Sequence, residues 1–201
     1  ILSLRASGTD PMALIDDAYE SAANIRGEDA SLYVSSGTSF AAPFVAGAAS
    51  LLFAINPELT GPQVRNMLLQ SAADIGAPGI DTLTGFGRLD VAAALAADPD
   101  FFVTGNITGI ASQRRDGAVF VTVMGSADAD RFATARVEIG QGDDPTGWQP
   151  AAPALTAPVR GGELAAIPAS LLRGADRWTI RLTVEHDDGR TRETRSDLKL
   201  K

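Results

Sequence analysis

The sequence predicts an α/β segment over residues 1–98 followed by an all-β segment over residues 99–201. Three observations support this division. Helical patterns with N-terminal caps fill the first half, and short alternating runs separated by turn residues fill the second. Asp98-Pro99-Asp100 marks the point where the composition changes. Alternating runs at this spacing are typical of an antiparallel sandwich of about 100 residues.

The composition excludes several classes of protein. The 201 residues are 45% hydrophobic and carry a net charge of −8. Such apolar content is typical of a folded chain, and the negative charge argues against a nucleic-acid partner, which needs a basic patch. The absence of cysteine excludes disulfides and thiolate metal sites, and His186 is the single histidine. Because Ile1 is neither a methionine nor part of a leader peptide, we expect the chain to continue upstream.

Residues 44–55 form an almost uninterrupted apolar run. A helix that is apolar on all sides lies in a protein core or in a membrane. Since a membrane span needs about 20 apolar residues, we expect a buried core helix and no membrane span. Pro43 is best tolerated in a first helical turn, so the helix is predicted to begin near Ser39. This places Ser39 at the positive end of the helix dipole.

Two further helices are predicted from their caps. Thr60 and Gln63 have the spacing of a capping box, with Pro62 in the first turn. Asp90 is predicted to cap a short alanine-rich helix over residues 91–97.

The second half contains four β-rich runs. They cover residues 101–103, 118–124, 133–139 and 178–184. Turns that separate such runs are predicted at Asp116-Gly117, at residues 140–145, at Gly161-Gly162 and at residues 187–189.

The motif at residues 37–43 carries the chemistry. Its sequence, Gly-Thr-Ser-Phe-Ala-Ala-Pro, closely resembles the serine signature G-T-S-x-A-x-P of the subtilisin-like serine proteases, the subtilases of peptidase family S8. The resemblance covers residues 1–97, with Val-Ala-Gly-Ala-Ala at 45–49 and a glycine-rich stretch at 85–90 in the family's spacing. Phe40 and Phe44 replace the commoner methionine and histidine, at positions that line or pack in the family.

The resemblance implies the C-terminal part of a parallel-sheet catalytic domain, with Ser39 as nucleophile. A serine hydroxyl reacts only when a base takes its proton. At a loop-to-helix junction the oxygen of Ser39 is held toward a cleft, and its backbone N–H can face a developing oxyanion. Gly37 leaves room for the substrate backbone and Thr38 can form a local hydrogen bond, so both support the oxyanion and the substrate. The alternative is an ordinary capping serine on a core helix.

The rest of a catalytic triad is not found before Ser39. In subtilases the aspartate and the histidine both precede the serine, and no histidine does so here. His186 is predicted to face solvent beside the turn at residues 187–189. Four upstream polar residues match neither the family's catalytic aspartate nor its oxyanion asparagine, and the aspartates among them are interpreted as solvated loop charges. These four are Asp10, Asp16, Asp17 and Asn24.

We therefore expect this chain to be inactive alone and to need the upstream half of the same protease as its partner, with a peptide or protein as substrate. Exposing each large apolar side chain of the serine helix costs roughly 1.5–3 kcal/mol. Either that upstream half covers the helix, or two copies of the chain self-associate.

The second half resembles the immunoglobulin- or fibronectin-like modules appended to secreted bacterial proteases. Trp148 and Trp178 are interpreted as packing residues rather than a ligand platform. No cofactor is required; Asp128, Asp130 and Asp143-Asp144 could hold calcium or form turns. The resemblance implies a secreted or cell-envelope protein. The alternative function is a non-catalytic binding or anchoring module built on the sandwich.

Overall fold

The computed structural model describes residues 1–4, 25–28, 31–81 and 83–200. It consists of two compact units, Ile1–Leu51 and Leu52–Lys201. This division falls earlier than the boundary predicted after Asp98, because residues between 52 and 98 bond to the β-rich part. The boundary between sequence modules at residue 98 stays a prediction.

The first unit contains three short strands and most of a helix. Strands β1 (Leu2–Leu4), β2 (Ile25–Arg26) and β3 (Leu32–Val34) form a sheet of order β1-β3-β2. Both pairings are antiparallel, so the described strands do not themselves form the parallel sheet that the resemblance implies for the catalytic domain. Parallel neighbours need long crossover connections, whereas these short strands satisfy one another's backbone groups.

Helix α1 (Thr38–Ile55) begins one residue before the predicted start at Ser39. Pro43 lies inside the helix, at the start of its second turn rather than in the first turn as predicted. Proline has no N–H, so the bond that residue 43 would donate to the carbonyl of Ser39 is not made. The backbone around Ser39 is therefore less constrained by the helix than that of later residues.

The large apolar side chains of α1 are mostly exposed. Phe44 is 59% exposed and Ile55 is 68% exposed, which corrects the prediction of a buried helix. The reason is that the described residues supply no surface to cover them. By length and composition alone α1 could also cross a membrane, a property that core helices of soluble proteins share.

The two shorter helices are capped as predicted. Helix α2 (Gly61–Gln70) has a capping box in which the N–H of Thr60 donates to Oε1 of Gln63 at 2.9 Å. In return the N–H of Gln63 donates to Oγ1 of Thr60 at 3.4 Å. Helix α3 (Val91–Leu95) is two residues shorter than predicted, and Asp90 accepts the N–H of Ala93 at 2.9 Å.

Residues 103–199, here called the β module, form two antiparallel sheets. Their orders are β4-β5-β8 and β10-β9-β6-β7. The strands are β4 (Val103–Arg115), β5 (Ala118–Ala129), β6 (Phe132–Gln141), β7 (Gln149–Pro150), β8 (Val159–Pro168), β9 (Arg177–His186) and β10 (Thr191–Lys199). One hydrophobic core, with Val123 from one sheet and Ile139 and Ile180 from the other, joins the two sheets.

The predicted turns of the β module differ in outcome. Asp116 and Gly117 both have positive φ and reverse the chain between β4 and β5, as predicted. Gly161 and Gly162 instead lie inside β8, where the pairing with β5 shifts register. The predicted reversal there is wrong, because a glycine with positive φ also suits an irregularity within a strand.

Candidate active site

Ser39 lies just after a strand, in the first turn of α1. Strand β3 ends at Val34, and Ser35 is held by two backbone bonds to Ile1, of 2.9 and 2.8 Å. The carbonyl of Gly37 then accepts the N–H groups of Phe40 and Ala41 at 3.0 and 3.3 Å. The sheet therefore fixes where the connection starts, and Gly37 turns it into the helix.

The hydroxyl of Ser39 is presented outward. Gly37, Thr38 and Ser39 are all exposed, and among the described residues no side chain bonds to the hydroxyl of Ser39. Its N–H belongs to the first helical turn, where donors have no partner within the helix and attract negative charge. The junction thus presents an exposed hydroxyl beside the backbone N–H of the same residue, an arrangement that suits acyl transfer.

His186 is fully buried, with 0% exposure, so the predicted solvent-facing role is wrong. It is the last residue of β9, where Trp178, Ile180, Leu182 and Val184 alternate into the core and His186 continues the pattern. Nε2 lies 3.3 Å from Asp130, and Nδ1 lies 3.1 and 2.8 Å from Asp187 and Asp188. Both ring nitrogens face carboxylates of the β module, so neither is free to take a proton from a serine.

Asp130 and Asp188, which both face His186, have lowered pKa values. Burial alone would raise the pKa of Asp130, but the bonds from the N–H of Phe102, at 2.9 Å, and from His186 hold it below its usual value. The bond from Arg190, at 2.8 Å, lowers the pKa of Asp188 most. The ring of Phe101 packs edge-on against His186 at 5.1 Å. These contacts hold Phe101 and Phe102, just before β4, against the turn at Asp130 and the turn at Asp188.

We expect Asp130→Asn to lower the free energy of unfolding at neutral pH by about 1–3 kcal/mol, because it removes a charged partner of a buried histidine. The pKa of Asp130 is lower in the folded than in the unfolded state. Its contribution is therefore present above the usual value of 3.8 and is lost as the pH falls through the folded value. Unfolding measured from pH 7 to pH 2 checks this, with exposed Asp197→Asn as control; an unchanged pH dependence in Asp130→Asn would contradict it.

The other acidic residues considered for calcium have protein partners. Asp128 accepts Nε of Arg160 at 2.6 Å, and Asp143 accepts from Arg177 at 2.7 Å. Asp144 lies 3.9 Å from Arg195. In the described part of the chain, no three His, Asp or Glu side chains are placed to share a metal ion. Calcium therefore stays a prediction.

The two tryptophans of the β module line a cavity of about 510 Å³ with Gln141, Thr146 and Gln149. Trp178 is 3% exposed, and its indole N–H donates to the carbonyl of Ala175. Trp148 is half-buried, with the guanidinium of Arg181 4.0 Å from its ring centre. These contacts agree with the packing role predicted for both residues.

The upstream polar residues lie outside the described residues. They are Asp10, Asp16, Asp17 and Asn24. The site that the structure describes is therefore limited to the Gly37-Thr38-Ser39 junction.

Comparison with known families identifies the segment that carries this junction. Residues 19–87 match the model of the subtilase family, Peptidase S8. The match contains Ser39, the whole of α1 and α2, and the loop that follows them. Residues 19–87, here called the subtilase segment, are therefore the part of the chain that is similar to this family.

Individual relatives also match part of the chain. Mycosin-5 of Mycobacterium tuberculosis is 42% identical over 99 residues, which are 48% of this chain and 16% of the relative. The autotransporter lipoprotein NalP of Neisseria meningitidis is 43% identical over 65 residues, 32% of this chain and 6% of the relative. An extracellular serine protease of Serratia marcescens is 39% identical over 69 residues, 34% of this chain and 6% of the relative.

The chain thus covers only between 6% and 16% of the length of these relatives. No solved structure matches it.

Proposed function

We propose that this chain contributes the nucleophile to a subtilisin-like serine endopeptidase, which hydrolyses peptide bonds through an acyl-enzyme on Ser39. The observation that carries the proposal is the position of Ser39. Ser39 is exposed in the first turn of α1. The connection before this helix is held to β1 by the bond between Ile1 and Ser35. The subtilase match over residues 19–87 supports a protease parent.

The proposed reaction follows from this position. Oγ of Ser39 attacks the carbonyl carbon of the scissile peptide while its proton passes to a histidine. The backbone N–H of Ser39, at the start of α1, stabilises the oxyanion, and Gly37 and Thr38 support the substrate backbone. The histidine then protonates the departing amine. Water releases the acyl group, and its proton returns through the histidine to Ser39.

The histidine and its orienting aspartate are proposed to come from the upstream half of the same protease. The sequence contains one histidine, and both nitrogens of His186 face carboxylates in the β module. Without a base, only binding and oxyanion stabilisation remain. The chain alone is therefore proposed to be inactive, and no resident cofactor is assigned.

The β module is proposed to be an immunoglobulin- or fibronectin-like accessory domain. Its seven strands in sheets of four and three support this assignment. The protein is proposed to be secreted or held at the cell envelope. Relatives described as an extracellular protease and as an autotransporter lipoprotein support that location.

Peptide hydrolysis with and without the upstream half tests the function. The purified chain should give no turnover above the buffer rate, whereas the two halves together should cleave a peptide substrate. Inhibitor-sensitive cleavage by the chain alone would contradict the proposed split of the triad. Absence of cleavage by a verified complex of the two halves would contradict the protease function itself.

The alternative is a binding or anchoring module that uses the β module alone. The feature that favours it is the cavity lined by Trp148, Gln141 and Gln149, since indole and amide groups suit neutral polar ligands. Arg181 already stacks on Trp148, which leaves less of the indole for a ligand. The protease is therefore the function that we place first.

A further inference from the structure

Strand β10 lies at the edge of its sheet and bonds to the loop that follows helix α2. The N–H of Ile80 donates to the carbonyl of Glu193 at 2.9 Å, and Ile80 pairs with Thr194 in a parallel bridge. The hydroxyl of Thr194, which is 6% exposed, donates to the carbonyl of Ile80 at 2.9 Å. Exposed strand edges favour unwanted pairing, and here a loop of the same chain occupies part of this edge.

A second set of contacts ties the end of α2 to the same strand. The guanidinium of Arg192 donates to Oε1 of Gln70 at 3.1 Å and lies 5.6 Å from the ring centre of Phe86. Gln70 also accepts the N–H of Val103 at 3.4 Å. Burial lowers the pKa of Arg192, while the charge of Asp74 opposes that effect. One side chain of α2 therefore contacts both sheets of the β module.

Gly79 allows the loop to approach β10 this closely. Its φ is +88°, and a Cβ at this position would overlap the carbonyl oxygen of Glu193. The N–H of Gly79 donates to Asp74 at 2.7 Å, which holds the loop's shape from within. By contrast, Gly85 has a φ of +61° and no neighbour within 4 Å of a built Cβ. Gly79 thus serves the contact, whereas Gly85 serves only the turn.

We infer that the partner of the β10 edge is the subtilase segment of this same chain, and that the β module braces residues 70–81 of that segment. All the contacted residues from Gln70 to Phe86 fall inside the segment that matches the subtilase family. The contact combines backbone pairing at Ile80, a bond from the buried hydroxyl of Thr194, and the guanidinium of Arg192 near the ring of Phe86. Interactions of these kinds hold two surfaces in one fixed arrangement. The β module therefore stabilises residues 70–81 instead of serving as a freely tethered binding domain.

The full chain with Gly79→Ala or Gly85→Ala tests the brace. Both changes strain a left-handed backbone, but only Gly79→Ala also pushes β10 away. We expect the Tm of Gly79→Ala to be at least about 2–4 °C below that of Gly85→Ala. Amide exchange at Ile80 should quicken in Gly79→Ala, while the mutually bonded amides of Ala73 and Arg88 keep their rates. Equal Tm values for the two variants would overturn the inference.

A gentler pair of variants covers the case in which Gly79→Ala fails to fold. Thr194→Val keeps the shape but loses the hydroxyl bonded to Ile80, and Thr191→Val changes an exposed threonine on the same strand. Exchange at Ile80 should rise in Thr194→Val only; equal exchange in both variants would overturn the brace. Neither readout depends on catalysis by Ser39, so failure of the brace and failure of the protease function are distinguishable.

Discussion

Ser39→Ala, assembled with the upstream half of the protease, should lose peptide hydrolysis by a factor on the order of 10⁶, the scale seen when subtilisin loses its nucleophile. Alanine removes the attacking oxygen and leaves the backbone donors at the start of α1 in place. Substrate binding should therefore persist while the rate of acylation falls. Steady-state hydrolysis and single-turnover acylation measure the two effects separately.

Ser36→Ala is the matched control, since Ser36 is exposed in the same connection, three residues before the proposed nucleophile. It should keep nearly full activity. If Ser39→Ala and Ser36→Ala lost activity to the same small extent, another residue would have to be the nucleophile.

The isolated chain should self-associate through the exposed apolar side chains of α1. Phe44 is 59% exposed and Leu51 is 50% exposed, and burying each against a second copy is worth roughly 1.5–3 kcal/mol. The double substitution Phe44→Ser, Leu51→Ser should therefore raise the dissociation constant by a factor of about 10²–10⁴. Light scattering over a concentration series measures the change.

Leu83→Ser is the control for this prediction, because Leu83 is 93% exposed but lies outside the helix. Its dissociation constant should stay that of the unaltered chain. If the unaltered chain were monomeric at all accessible concentrations, self-association would be contradicted. The apolar side chains of α1 would then have to be covered by a different protein surface.

The local features of the fold could be predicted from the sequence. The caps of α2 and α3 are set by residues within one helical turn, Thr60 with Gln63 and Asp90. The start of α1 was predicted to within one residue, although Pro43 lies in the second turn and not in the first. These features depend on neighbours along the chain, which the sequence shows directly.

The prediction that His186 faces solvent is wrong, and the sequence itself contains the signal that would have corrected it. Its acidic neighbours at 187 and 188 suggested a solvated turn. However, the alternation from Trp178 through Val184 continues to His186 and predicts an inward side chain. Counting the period of the strand to its last residue would have placed the ring in the core.

The contact between Ile80 and β10 could not be predicted in this way. Its partners are more than one hundred residues apart in the chain, and Gly79 looks like an ordinary turn glycine. Only the packed structure shows that a strand edge occupies the space where its side chain would be. The antiparallel pairing of β1, β2 and β3 could not be predicted either, because it depends on contacts between strands that are distant in the sequence.

The central claim is that Ser39 is a nucleophile whose base comes from the upstream half. Reaction with a fluorophosphonate probe tests it most directly, because the probe bonds only to an activated serine. The chain should be treated with and without that half, and the labelled residue identified by mass spectrometry. We predict labelling at Ser39 only when both halves are present. No labelling in a verified complex of the two halves would contradict the claim, as would labelling of the chain alone.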